Sequence, residues 1–241
     1  MIEKIRVKAP ATSANVGPGF DVFAFALNMY NEAIFERIET GIEILGCPPD
    51  FANEDNLAYK AYKSVFDEAG VRMGGVRFTE YNTIPFCRGL GSSAAMIAEG
   101  AVAANEMIGR PFEKHELLEL CLKIESHPDN LAACIYGGFT SAIKLDDRHI
   151  IRKTNVNKEL NFYAIITSQQ VETEASRQVL PKTVSLNDAI FNISRASMIP
   201  AAFEAGDKEL LKVLLDDRLH QPFRKKLIDD YEEVRSLTLE S

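Results

Sequence analysis

The opening EKIRVKAP alternates apolar and charged positions, which predicts a strand that ends at Pro10. The small-residue stretch ATSANVGPGFD follows as a loop, and EAIFERIET and GIEIL read as extended segments. In EDNLAYKAYKSVFDEAG, Leu57, Ala58, Ala61, Tyr62, Val65 and Phe66 fall at helical spacing, with Gly70 as the stop. GVRFTEYNTIP reads as a strand leading into the glycine-rich turn IPFCRGLGSSAAM. After it, SAAMIAEGAVAANEMIG predicts a buried helix ending near Gly109, and PFEKHELLELCLKIES a second with a proline start. GGFTSAIKL, HIIRKTNV and NFYAIITS are three strand candidates in succession. Ser185 and Asp188 have capping-box spacing before AIFNISRASMIPAAFEAG, which Pro200 interrupts, and KELLKVLLDD continues as helix. The whole pattern predicts a mixed α+β chain, with VNKEL at 156–160 as the domain boundary.

Composition narrows the classes of function. At 241 residues, 46% hydrophobic and 26% charged, the chain has the makeup of a soluble globular protein. A net charge of −8 argues against non-specific attraction to nucleic acid or to anionic membranes. No segment is long and apolar enough to span a membrane, and the N-terminus does not read as a signal peptide. The four cysteines and four histidines lack metal-ligand spacing, so reduced thiols in the cytoplasm and no transition-metal site are expected.

The chemistry concentrates in a few segments. In the turn before the first long helix, Gly89 and Gly91 permit positive φ, and Ser92 and Ser93 can cap the helix, whose first amides favour an anion. The lysine of a P-loop is absent, yet backbone amides can hold phosphate and a serine hydroxyl can sit on Mg²⁺. Such a cation also takes a carboxylate, and Glu125 in KIESHPDNLAACIYGG is the candidate. In the same segment Pro128 is expected to end the helix and expose Asp129 and Asn130. Thr173 and Arg177 in QQVETEASRQVLP would share one helical face, and Arg224 lies beside a His-Gln-Pro turn; an arginine fork suits carboxylate or phosphate.

Together APATSANVGPGFDVFAFAL, PFCRGLGSSAA, ESHPDNLAACIYGG, VETEASRQVLP and DRLHQPFR resemble, in order, the segments of the homoserine kinases in the GHMP kinase superfamily, over Ile5 to about Ile228. The resemblance implies a two-domain α+β fold. Residues 1–157 would form a ribosomal-protein-S5-like, ATP-binding domain and 158–241 an incomplete ferredoxin-like one, with the active site between them. It further implies that Pro85, Phe86, Cys87, Arg88, Gly89, Leu90, Gly91, Ser92, Ser93, Ala94 and Ala95 wrap the ATP phosphates, that Ser93 and Glu125 hold Mg²⁺, and that Asn56 contacts adenine. Asn15 and Asp21 would meet the ammonium end of L-homoserine, Arg177 and Arg224 its carboxylate, and His127 would line the acceptor pocket. Asn130 would orient the hydroxyl, with Asp129 as the alternative base and Thr173 near the transferred phosphoryl group. The implied activity is ATP-dependent phosphorylation of L-homoserine to O-phosphohomoserine on the route to threonine, by a cytoplasmic enzyme for which a homodimer is open. Homoserine kinases continue past EEVRSLTLES through a third glycine-rich motif, so a truncated, weakly active or inactive nucleotide-binding protein of this type, or a GHMP kinase for another small alcohol, stays open as the alternative.

Overall fold

The computed structural model describes residues 2–167, 169–171 and 173–240. The chain divides into two compact units. Residues 1–14, 21–86 and 90–153 make the first, and 15–20, 87–89 and 154–241 the second.

The first unit is built on a six-stranded sheet around β2 (Phe23–Ile38). Along one edge β2 pairs antiparallel with β1 (Lys4–Ala14). Along the other it pairs with β4 (Gly75–Tyr81) over 32–38 and with β5 (Phe139–Lys144) over 23–25. β3 (Ile42–Leu45) joins β4 in parallel, and β6 (His149–Thr154) continues beyond β5. The period-two pattern of β2 decides its facing: Asn31, Ala33 and Phe35 are buried while Glu32, Ile34 and Glu36 are only partly covered. β1 does not stop at Pro10, as the sequence had suggested, but runs on to Ala14 past a register shift between Pro10 and Thr12. As an edge strand it tolerates a residue with no N–H to donate.

Four helices cover this sheet: α1 (Leu57–Glu68), α2 (Ser92–Met107), α3 (Lys114–Leu122) and α4 (Pro128–Tyr136). Phe35 stacks on Phe78 at 4.8 Å and on Tyr62 of α1 at 5.4 Å, so sheet and helix share one aromatic core. The alanine-rich composition of α2 lets it approach α1 closely; a Cβ on Gly100 would lie 1.9 Å from the Ala58 carbonyl oxygen. α3 starts at Lys114 rather than at Pro111, because Glu113 caps it and Glu116 returns a carboxylate to the Glu113 N–H at 2.8 Å. Pro128 does not end a helix; it sits in the first turn of α4, where its missing N–H costs nothing, and Asp129 is buried rather than exposed.

The second unit carries α5 (Thr173–Gln178), α6 (Leu186–Ala196), α7 (Ile199–Ala205), α8 (Lys208–Leu214), α9 (Gln221–Arg224) and α10 (Tyr231–Glu240). Ser185 caps α6 through the Asp188 N–H, and Pro200 opens α7. NFYAIITS forms no strand over its described residues 161–167. Phe162 lies against Phe203 with ring centroids 6.0 Å apart, but Tyr163 is 89% and Ile165 60% exposed.

Candidate functional site

In the first unit the predicted residues gather at the N-terminus of α2. Gly91 is the cap, in the left-handed region at φ 64°, and a Cβ there would fall 1.9 Å from the Thr12 Oγ1. Gly89, which belongs to the second unit, is also left-handed, at φ 67°, but faces open space, so only the backbone dihedral demands glycine there. The Ser93 hydroxyl donates to Glu125 Oε2 at 2.8 Å, and Oε1 of the same carboxylate is 3.1 Å from His127 Nδ1. Glu125 and His127 both lie in the turn between α3 and α4, which brings Glu125 to the serine and His127 to Glu125. Ser92 is buried, and its Oγ has no hydrogen-bond partner among the described residues.

Asn130 lies in the first turn of α4 and accepts a hydrogen bond at Oδ1 from the Thr12 hydroxyl, at 2.7 Å. With its carbonyl oxygen so engaged, the amide N–H group is the side chain's remaining donor. Asp129 is 2% exposed, and its Oδ1 accepts the Asn130 backbone N–H at 2.8 Å. Thr12, contributed by β1, was not foreseen: it contacts Asn130 across 118 positions of sequence, and no local pattern marks it.

Asn56 takes a different position from the loop residues. It caps α1, accepting from Ala58 N–H at 2.9 Å and Tyr59 N–H at 3.2 Å, and donates to Glu80 Oε1 at 2.9 Å. At 1% exposure, it is committed to the fold. Glu80 also accepts from Asn82, at 2.8 Å.

In the second unit Arg177 and Arg224 converge on the Phe20 ring, their guanidinium carbons 5.4 and 4.8 Å from its centroid. Arg224 Nε also donates to the Ser176 carbonyl at 3.0 Å, tying α9 to α5. His220 lies beside Phe20 with centroids 5.3 Å apart, and its Nε2 is 2.8 Å from the Gly17 carbonyl. Asp217 accepts from Asn192 Nδ2 at 2.6 Å and from the N–H groups of Leu219, His220 and Gln221 at 3.1, 2.8 and 2.7 Å. Burial would raise its carboxyl, but the donors from Asn192, Gln221 and His220 outweigh that and hold it below the ordinary range. In the glycine-rich turn, Arg88 Nε donates to the Thr167 carbonyl at 2.9 Å, and the Cys87 carbonyl accepts from the Val171 N–H at 3.0 Å. Asn15, Asp21 and Cys87 take positive φ of 59°, 57° and 54°, which places three strained residues in the segments singled out for chemistry. Thr173 opens α5, and its side chain lies outside the described positions.

Residues 56–138 match the family model of the GHMP kinases N-terminal domain. The chain is 44% identical over 237 residues to the homoserine kinase of Clostridium beijerinckii, a match covering 98% of this chain and 80% of that protein. The chain belongs to the homoserine kinase family. The family model spans both the glycine-serine turn and Glu125, the two segments that the Ser93–Glu125 hydrogen bond joins. A solved homoserine kinase from Cytophaga hutchinsonii superposes with a TM-score of 0.88 at 28% identity, covering 100% of this chain and 80% of that one. A structure described as a putative homoserine kinase from Listeria monocytogenes shares the fold, with a TM-score of 0.76 at 24% identity, covering 98% of this chain and 79% of that one.

Proposed function

We propose that this kinase phosphorylates L-homoserine with Mg-ATP. The γ-phosphoryl group passes to the side-chain hydroxyl, the bond from phosphorus to the ADP oxygen breaks, and the hydroxyl proton is released. The observation that carries the reading is the Ser93–Glu125 pair at the head of α2, a hydroxyl and a carboxylate 2.8 Å apart beside the first backbone amides of a helix, which would favour a phosphate. These are hard oxygen donors of the kind Mg²⁺ accepts, and a cation that keeps several waters and shares phosphate oxygens needs few protein ligands. Bound there, the ion would neutralise phosphate charge.

The residues of the turn, Pro85 to Ala95, would hold the phosphates. Asn130 would orient the acceptor hydroxyl through its amide, while the buried Asp129 fits a capping role better than that of a base. Positioning and charge neutralisation carry most of phosphoryl transfer, so a strong base is dispensable. Arg177 and Arg224 would take the substrate carboxylate, and Asn15 and Asp21 its ammonium group. We assign 1–157 as the ATP-binding domain and 158–241 as the second. Four free cysteines fit a reducing cytoplasm, and no described helix is long and apolar enough to cross a membrane.

The test is incubation of the purified chain with Mg-ATP and L-homoserine, reading O-phosphohomoserine by mass spectrometry. Product is expected. No product, with ATP still raising the melting temperature, would leave a nucleotide-binding protein; product with another small alcohol in place of homoserine would replace the substrate.

A further inference from the structure

The HQPFR segment supplies Arg224 to the proposed substrate site, but its histidine has no role there. His220 is 4% exposed, buried beside Phe20, and a carbonyl acceptor at 2.8 Å requires Nε2 to carry the proton. The carbonyl belongs to Gly17, three residues before Phe20, so this bond fixes the turn from which Phe20 projects. A second tie to the turn comes from Asn192, whose Nδ2 is 3.4 Å from the Pro18 carbonyl. Asn192 and His220 both rest on Asp217, whose side chain is fully buried and accepts hydrogen bonds from each. Arg218 N–H closes the circuit on Asn192 Oδ1 at 3.0 Å. A buried carboxylate with several donors is rigid, because every alternative geometry strands a charge.

What this network holds in place is an aromatic ring with two guanidinium groups over it. An arginine has four rotatable side-chain bonds, and two cations left to themselves repel; a ring's negative face attracts both and restrains where they stand. We infer that Phe20, held by His220 and Asp217, is a platform that positions Arg177 and Arg224 as one receptor for the carboxylate of the amino-acid substrate. Phe20, His220 and Asp217 are thus positioning residues, acting through the arginines. The inference rests on the assignment of the two arginines to the substrate carboxylate.

Phe20→Leu is expected to raise the KM for L-homoserine about tenfold, within the range of a cation–π contact, with KM for ATP and kcat within about twofold of wild type. Phe20→Tyr, which restores the ring face, is expected to return the homoserine KM to within about twofold. Should Phe20→Leu fail to fold, His220→Gln carries the same comparison. Titration calorimetry with L-homoserine reads the ratio without turnover. An unchanged homoserine KM in Phe20→Leu, a parallel rise in the ATP KM, or no rescue by tyrosine overturns the platform. Wild type that binds no homoserine removes the underlying substrate assignment instead, so the two failures are distinct.

Discussion

Glu99 lies two turns into α2, 1% exposed, with neither carboxylate oxygen hydrogen-bonded among the described residues. Burial first, then the charges of Glu80 and Glu32, push its carboxyl up to about 9. The folded protein therefore keeps this proton where the unfolded chain, with an ordinary carboxyl near 4.5, releases it. Stability tied to this group is complete below the ordinary value and declines as pH rises toward the folded one, by about 1.4 kcal/mol per pH unit at most. Glu99→Gln is expected to unfold at a similar temperature to wild type near pH 5 and to gain an increasing advantage up to pH 9, read by thermal melts across that range. At the proposed metal site, Glu125→Ala is expected to lower kcat/KM by about 100-fold, the scale of losing one group that stabilises developing charge, as measured by steady-state product formation. Its melting temperature should barely move, since the Ser93–Glu125 bond is exposed.

At the scale of elements, the head of α2 depends on a backbone that only glycine adopts without strain. Gly91→Ala is expected to cost about 2–3 kcal/mol in urea unfolding, from the left-handed dihedral and from the overlap with the Thr12 hydroxyl. Much of this element layer was legible in the sequence. The spacing of Ala58, Tyr62 and Phe66 fixed α1, and the turn chemistry of GLGSS placed the head of α2, because both signals are local. The errors came where local signals compete. Pro128 stops a helix or starts one with equal propensity arguments, and it is the extended backbone of His127 just before it that marks a start. NFYAIITS has strand composition, but a strand exists by pairing, which composition does not supply. Thr12, Phe20 and Asp217 escaped altogether, since what gives each its role is a contact made far along the chain.

For the molecule as a whole, ligand binding should report on folding. A nucleotide bound only by the native state stabilises it by mass action, about 2.7 kcal/mol at one hundred times the dissociation constant. Mg-ATP is accordingly expected to raise the melting temperature in differential scanning fluorimetry, and the rise should shrink in Glu125→Ala. A kinase acting on an acidic amino-acid end and a polyanionic nucleotide with a net charge of −8 must rely on local fields, so the gain should persist at moderate salt where long-range attraction is screened. Within the first unit the hydroxyl of Thr12 both anchors Asn130 and fills the space a side chain on residue 91 would need. The consequence is evolutionary. A lineage that drifts to alanine at 91 relieves the overlap by shedding the hydroxyl at 12, and in doing so casts off the anchor of the amide at 130, so a change at one of these three positions alters what the others tolerate.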